Sequence, residues 1–214
     1  MTAADLALGA RLAARGRRRS YERGSALCVE GDVSDRVFVL ESGLVKACCS
    51  SVHGQEIVLG ICGPGDVIGE LATLDGAPRS ASTIALTGVQ AVVVPAVEVH
   101  AALSDPAVVR QMLEVVVARL RDADRKRIEF ASLDTVGRVA MRTLELADRF
   151  GRRTDAGVMV DLPISQEELA SWCGASREAT VKALRTLREL GYVRTGRGSL
   201  LVLDPEALRR RAAV

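Results

Sequence analysis

Short apolar segments separated by glycines dominate the chain between residues 26 and 95. Glycines recur along this region at intervals of 7 to 12 positions, from Gly24 to Gly65. The clearest apolar segments are residues 36–40, 44–49, 56–59 and 91–94. Short strands at regular spacing with turn signals between them are typical of a β-sandwich or a barrel-like sheet, so the pattern predicts a β domain here.

A helical pattern replaces the β pattern at Pro106. This proline suits the first turn of a helix, with Ser104 or Asp105 as its cap, and we expect the helix to run to about Leu133. One series of positions at intervals of three or four residues contains Val109, Met112, Val116, Leu120, Ala123, Arg127 and Phe130. The spacing is close to that of a coiled-coil seam, which favours a parallel homodimer. The alternative is a helix that packs on its own domain.

Two helices joined by a tight turn are predicted near the C-terminus. Ser165 and Glu168 have the spacing of a capping box at the start of the first helix. Gly174 suits the turn that follows, and Ser176 caps a second helix that continues to about Leu190. The glycine-rich segment 192–203 predicts a two-stranded wing. This order of elements indicates a winged helix-turn-helix.

The second of these helices carries side chains that suit base edges in DNA. Arg177, Glu178 and Lys182 are expected to point outward near its N-terminal end, which enters the major groove in a helix-turn-helix. Arginine donates to guanine, and glutamate accepts from cytosine. We expect Arg194 or Arg197 of the wing to contact phosphate. The alternative for Arg177 and Glu178 is an ordinary capped helix start.

A second site is indicated by Gly69, Glu70 and Leu71, followed by Arg79 and Ser80. Glycine lets the backbone approach a ligand closely. The glutamate can accept a hydrogen bond from a ribose hydroxyl, the arginine can neutralise a phosphate, and the serine adds a hydroxyl. These residue types suit a small phosphorylated sugar. The alternative is a plain salt bridge between Glu70 and Arg79.

Residues 67–82 closely resemble the phosphate-binding cassette of cyclic-nucleotide-binding domains. Together with the helix-turn-helix, they make the chain similar, over about residues 20–205, to the CRP/FNR family of bacterial transcription regulators. The resemblance implies an α+β fold with an N-terminal β-roll of the double-stranded β-helix, or jelly-roll, type. It assigns residues 1–104 to this cyclic-nucleotide-binding β-roll, residues 105–136 to a dimerisation helix and hinge, and residues 137–214 to the winged helix-turn-helix.

The resemblance also implies the ligands of both sites. The ribose-phosphate ligands are Gly69, Glu70, Arg79 and Ser80, with the Leu71 backbone nearby. The base lies near Ala123 and Asp124, where cAMP-responsive members of the family have a Thr-Ser pair. Ala123 offers no hydrogen bond, whereas Asp124 can accept from the exocyclic amine of adenine or of guanine. The expected effector is cAMP, with cGMP left open.

The resemblance extends to the DNA-reading helix. Ser176, Arg177 and Glu178, with a basic residue four places after the glutamate, are similar to the family's recognition helix. Lys182 departs from the arginine found at the last of these positions in the regulator of enteric bacteria. Lysine cannot make the two-pronged contact of arginine, so we expect Lys182 to contact mainly phosphate.

Composition adds little to this interpretation. The net charge of +2 is too small to indicate nucleic acid, although the part from Asp134 onward has 14 basic against 11 acidic residues. Five cysteines and two histidines, His53 and His100, lack the spacing of a disulfide framework, an iron–sulfur cluster or a metal site. No apolar run is long enough to span a membrane and no signal peptide is evident, which predicts a cytoplasmic protein without a membrane partner.

The sequence therefore predicts a homodimeric transcription regulator, not an enzyme. Its expected partners are double-stranded DNA, a cyclic nucleotide and RNA polymerase. One alternative is a CRP/FNR-type regulator that needs no nucleotide and is constitutive or responds to thiol oxidation. Another is a protein-interaction module whose helix-turn-helix contacts only a partner protein.

Overall fold

The structure is a computed structural model that describes residues 3–161 and 164–212, with side chains from Leu6 onward. The chain forms two compact units, Met1–Ala123 and Asp124–Val214, which are described in turn. Among the described residues, no helix is both long enough and apolar enough to cross a membrane.

The first unit contains two four-stranded antiparallel sheets, as the β pattern predicts. One sheet has the strand order β1-β8-β3-β6, and the other has the order β2-β7-β4-β5. The strands are β1 (Arg17–Tyr21), β2 (Ala26–Cys28), β3 (Arg36–Ser42), β4 (Val45–Ser50), β5 (Glu56–Cys62), β6 (Val67–Ile68), β7 (Ser82–Ala85) and β8 (Val89–Pro95). The helices are α1 (Ala3–Ala13), α2 (Glu70–Asp75), α3 (Ala96–Ala102) and α4 (Pro106–Ser132), the last of which continues into the second unit.

Strand β3 shows how the core of this unit is divided. Side chains alternate between the two faces of a strand. Val37 and Val39 belong to a buried cluster with α1, α3 and α4, whereas Phe38 and Leu40 belong to a second cluster with residues of the other sheet. The first sheet is therefore covered on one face by helices and on the other by the second sheet.

Helix α4 corrects one part of the expected seam. Met112 is only 2% exposed and packs in the core of its own unit with Val108 and Val115. The large apolar side chains that α4 leaves exposed in the first unit are Val109, Leu113, Val117 and Leu120. Both stripes have helical spacing, and the sequence alone does not distinguish the one that packs inward from the one that stays exposed.

The second unit is the predicted winged helix-turn-helix with three additions. It contains the end of α4, then α5 (Thr135–Phe150), β9 (Arg152–Thr154), β10 (Gly157–Asp161), α6 (Gln166–Cys173), α7 (Arg177–Glu189), β11 (Val193–Gly196), β12 (Ser199–Val202) and α8 (Pro205–Ala212). The strands form one antiparallel sheet in the order β11-β12-β10-β9. The additions are strands β9 and β10 and helix α8, none of which the sequence pattern indicated.

Candidate functional site

The cassette begins where β6 meets α2, and its backbone depends on one glycine. Gly69 lies between them with φ of 84°, in the left-handed region that favours glycine. A Cβ atom at Gly69 would also overlap with Nη1 of Arg79. The position therefore requires glycine for two separate reasons, the backbone angle and the space that the guanidinium group occupies.

Arg79 lies buried against this turn, with only 4% of its surface exposed. Its Nη1 donates to the Gly69 carbonyl at 2.9 Å, and its Nη2 donates to the Arg36 carbonyl. Its guanidinium carbon lies 5.9 Å from the centre of the Phe38 ring. A guanidinium has five N–H donors, so these bonds leave donors for a ligand. Within the described part of the chain Arg79 forms no ion pair with a carboxylate, and its charge therefore remains available for an anion.

Glu70 is still more deeply buried, at 1% exposed, and its partner is not Arg79. It pairs with Arg119 of α4, which also donates to the Val67 carbonyl. Burial is the largest single influence and acts to lower the pKa of Arg119, but the charges of Glu70, Cys62 and Asp66 and the hydrogen bond to Glu70 together outweigh it, and the pKa is raised. The plain Glu70–Arg79 salt bridge is therefore absent, and Arg119 ties α4 to the cassette.

The remaining residues expected at the effector site are exposed. Leu71 is 42% exposed on α2, and Ser80 is exposed directly after Arg79. Ala123 and Asp124 are exposed on α4, where Asp124 makes a 4.0 Å ion pair with Arg127. The structure thus brings together Gly69, Glu70 and Arg79, and leaves the other four side chains open to solvent.

The cysteines give little support to a thiol site. All five are free, and Cys48 and Cys173 are buried. Burial raises the pKa of each of these two thiols to about 12. A thiol with so high a pKa carries almost no thiolate near neutral pH, and the thiolate is the reactive form. No group of three or more potential metal ligands is found in residues 3–161 and 164–212.

Capping residues fix both helices of the helix-turn-helix, as predicted. Ser165 Oγ accepts from the Glu168 amide at 3.1 Å, and the Glu168 carboxylate accepts from the Ser165 amide at 2.6 Å. Gly174 closes α6 with φ of 56°, and Ser176 Oγ accepts from the Ala179 amide at 3.2 Å to open α7. Local chemistry therefore determines where α7 begins.

Helix α7 has one face in the core and one face in solvent. Thr180, Ala183 and Leu187 are buried. The predicted DNA-contacting side chains are all exposed: Ser176, Arg177, Glu178 and Lys182 at the start of the helix, and Arg194 and Arg197 in the wing. Arg188 donates to Thr195 Oγ1 at 3.0 Å, which ties the end of α7 to β11. The exposed face is thus arranged for contact with an external surface.

Two residues that sequence reasoning missed hold the turn between α6 and α7. Arg138 of α5 donates to the carbonyls of Cys173 and Leu133, both at 2.7 Å. Its guanidinium lies 5.6 Å from the centre of the Phe130 ring, and a Cβ at Gly174 would overlap with that ring. Phe130 was expected in the dimer seam, but its ring packs against this turn and remains 49% exposed.

Comparison with known proteins identifies the family of each domain. Residues 18–105 match the cyclic nucleotide-binding domain family, and residues 137–211 match the Crp-like helix-turn-helix domain family. A CRP-like cAMP-activated global transcriptional regulator of Mycobacterium tuberculosis is 36% identical over 90% of this chain and 86% of its own length. The cyclic AMP receptor protein of Thermus thermophilus is 30% identical over 91% of this chain and 88% of its own. The structure of FixK2 from Bradyrhizobium japonicum has a TM-score of 0.82 at 21% identity, over 93% of this chain and 98% of its own, a likeness of fold.

Proposed function

Because the chain belongs to the CRP/FNR family of transcription regulators, we propose that its effector is cAMP and that it binds DNA as a homodimer. Its two domains make it a cyclic-nucleotide-binding regulator with a helix-turn-helix that binds DNA. The observation that carries the effector assignment is the buried guanidinium of Arg79, which lies against Gly69 without a carboxylate partner among the described residues.

Each cassette residue has a role in this proposal. Arg79 neutralises the cyclic phosphate with the donors that the two carbonyls leave unused, and Ser80 adds a hydroxyl. Glu70 accepts from the ribose hydroxyl while it stays paired with Arg119. Gly69 and the Leu71 backbone allow the sugar to approach closely. The list of ligands is completed by Ala123 and Asp124, which face the base, and Asp124 accepts from its exocyclic amine.

The homodimer rests on the exposed apolar stripe of α4. Val109, Leu113, Val117 and Leu120 recur every three or four residues and remain between 37% and 61% exposed. A second copy of the same helix covers such a stripe in a coiled-coil seam. Residues 105–136 would then be the dimerisation helix and hinge, between the effector domain 1–104 and the DNA-binding domain 137–214.

The dimer is tested by substitution on the two faces of α4. Leu113→Asp together with Leu120→Asp should give folded monomers, because a charge in the seam opposes association. Met112→Asp is the contrast, and should unfold the first unit because it buries a carboxylate in the core. Light scattering and circular dichroism distinguish these results. A parent protein that is monomeric at micromolar concentration would contradict the homodimer.

Control by the effector follows from a tie between the cassette and α4. Arg119 contacts Glu70 and Val67 at the cassette, so a ligand that binds Glu70 acts on a residue that α4 also holds. Binding then favours the dimer state whose reading helices match successive major grooves. Such couplings between two sites are typically about 1–3 kcal/mol. RNA polymerase is the expected protein partner of the DNA-bound dimer.

The deciding experiment is a calorimetric titration of the whole protein with cAMP and then with cGMP, followed by DNA affinity with and without the tighter ligand. We expect binding of cAMP, tighter than that of cGMP, and stronger DNA binding in its presence. Absence of binding by both nucleotides would overturn the effector assignment and leave the DNA-binding assignment untouched.

A second candidate, a regulator of the same family that needs no nucleotide, is favoured by one observation. Ala123, at a position expected to face the base, has no hydrogen-bonding side chain. This candidate predicts the same DNA affinity with and without nucleotide. If this regulator responded to thiol oxidation, Cys48 and Cys173 would be poor sensors, because burial raises the pKa of both thiols to about 12.

A further inference from the structure

A group of charged side chains lies buried where the last turns of α4 meet α5. Arg142 of α5 is 3% exposed, and Glu129 of α4 is 6% exposed. The two form an ion pair, and Arg142 Nη1 also donates to Glu145 Oε2 at 2.6 Å. Arg125 reaches Glu129 from the exposed side of α4 at 3.5 Å. A charge so far from water requires partners, and here two helices provide them.

The group extends to the first helix of the helix-turn-helix. Lys126 Nζ of α4 lies 3.6 Å from Glu145 Oε1 and 5.8 Å from the centre of the Trp172 ring. The guanidinium carbon of Arg142 lies 5.5 Å from the same ring. Trp172 of α6 is 2% exposed and is the chain's single tryptophan. The charged members, Lys126, Glu129, Arg142 and Glu145, are two bases and two acids; we call these four and Trp172 the junction network.

The junction network is better suited to fixing a geometry than to adding stability. A buried ion pair is often no more stabilising than apolar side chains of similar volume, because the charges lose their hydration. Its bonds are directional, however, and few arrangements satisfy both acids and both bases. The residues come from α4, α5 and α6, and α6 leads through the turn at Gly174 into the reading helix α7.

We propose that Arg142 is a positioning residue that, through Glu129, Glu145 and Trp172, fixes the DNA-reading helices on the last turns of α4. This inference rests on the proposed function, since it concerns how a dimer joined through α4 presents its reading helices. A firm junction sets the distance and rotation between two half-sites. A loose junction allows the dimer to bind half-sites at several spacings and reduces the effect of the effector on DNA affinity.

The test removes the ion pair between Glu129 and Arg142, and with it the pairs of Arg142 with Glu145 and of Arg125 with Glu129, while the summed charge of the junction network stays zero. Glu129→Gln with Arg142→Met replaces one acid and one base with uncharged side chains of similar volume. Lys126 remains paired with Glu145. Arg142→Lys retains the charge without the fork of donors. The matched control is Arg210→Met, an exposed arginine of the same unit outside the network. Circular dichroism verifies folding in each case.

The first readout is the discrimination between two palindromes that differ by one base pair between their half-sites. One inserted base pair rotates a half-site by about 35°, because B-DNA has about 10–10.5 base pairs per turn. We expect the parent and Arg210→Met to bind the longer site at least about tenfold more weakly, the size of one good base contact. The double variant should lose most of this preference, and Arg142→Lys part of it. A purely structural role would weaken both sites equally.

The second readout is the ratio of DNA affinities with and without cAMP, which should fall several-fold in the double variant while its cAMP affinity stays that of the parent. A folded double variant with the parent's spacing preference and the parent's ratio would overturn the proposal. If the double variant does not fold, the same two measurements on Arg142→Lys decide.

The parent protein separates this proposal from the proposed function. A parent that binds DNA without any response to cAMP refutes the effector assignment. The preference for half-site spacing alone then tests the proposed role of Arg142. A parent that binds no palindrome refutes both.

Discussion

The cassette and the reading helix each contain an arginine that we propose to bind a phosphorylated target, but the structure holds the two side chains in opposite ways. Arg79 is buried, and two backbone carbonyls hold its guanidinium in place. Arg177 is exposed at the start of α7, and the structure fixes only its backbone through the Ser176 cap. The side chain of Arg79 is therefore fixed by its surroundings, whereas Arg177 is placed at the surface with its side chain unconstrained.

This difference predicts how the free energy of binding is distributed. A charge held in a site of low polarity interacts strongly with its ligand, because little water screens it. A small ligand has few contacts, so each one matters. Exposed side chains interact more weakly and share the work with many phosphate contacts along DNA. We therefore expect single substitutions to have larger effects in the cassette than on α7.

The largest effect should come from Arg79→Leu. Loss of the only cassette cation among the predicted ligands should cost about 2–5 kcal/mol of cAMP affinity, the range for removing one partner of a buried charge pair. Calorimetry measures the affinity, and thermal unfolding checks that the variant is folded. Arg110→Leu, on an arginine whose side chain is 80% exposed in the same unit, is the control and should bind as the parent does. Equal affinity in Arg79→Leu and the control would contradict the comparison.

A glycine pair sharpens the role of preorganisation in the cassette. Gly69→Ala and Gly76→Ala both place alanine at a positive φ, 84° and 71°, at the two ends of α2. Each should lower the free energy of unfolding by about 1–2 kcal/mol. A Cβ at position 69 overlaps with the Arg79 guanidinium, whereas the space at position 76 is open. Gly69→Ala alone should therefore lose cAMP affinity, by about tenfold or more, the equivalent of about 1.4 kcal/mol. Equal losses in calorimetry would show that backbone strain, not displacement of Arg79, is responsible.

Local signals carried most of the sequence interpretation. The capping box at Ser165, the turn at Gly174 and the cap at Ser176 each depend on residues within four positions, and the structure contains all three. The glycine-separated strands likewise gave the β domain. The sequence was enough to predict where α7 begins, because short-range hydrogen bonds determine the start of a helix. The exposed positions of Arg177 and Glu178 followed from that start.

Contacts between residues far apart in the chain could not be predicted from the sequence in this way. Arg119 lies 49 residues from Glu70 in the chain, and Phe130 lies 44 residues from Gly174, so no spacing rule connects them. Met112 and Leu113 are neighbouring apolar residues in one helix, and only the packing of α1 and the first sheet decides that Met112 is the buried one. These features depend on which surfaces meet, and the cassette depends on them more than the reading helix does.

The reading helix should show intermediate effects that are specific to single base pairs. Arg177→Ala and Glu178→Ala should each cost about 1–3 kcal/mol at one base pair of each half-site and relax the choice there. Selection from random DNA should yield a palindrome with half-sites about one helical turn apart, 10–10.5 base pairs between centres, for the parent. Recovery of the same motif by a variant that combines Arg177→Ala and Glu178→Ala would show that this end of α7 does not read the bases.

The smallest effect should come from Lys182, one turn further along the exposed face of α7. Lysine is a single mobile charge without the fork of arginine, so a phosphate is its natural partner there. Lys182→Ala should weaken binding to all sequences alike and lower the slope of log affinity against log salt by about 1, the loss of one phosphate contact. Lys182→Arg is the matched variant, which should keep the slope and gain a preference for guanine at one position. Affinities measured over a range of salt on two unrelated sites separate these outcomes. A loss confined to one base pair in Lys182→Ala would instead make Lys182 a base reader, and would place all three predicted DNA-contacting side chains of α7 in the same role.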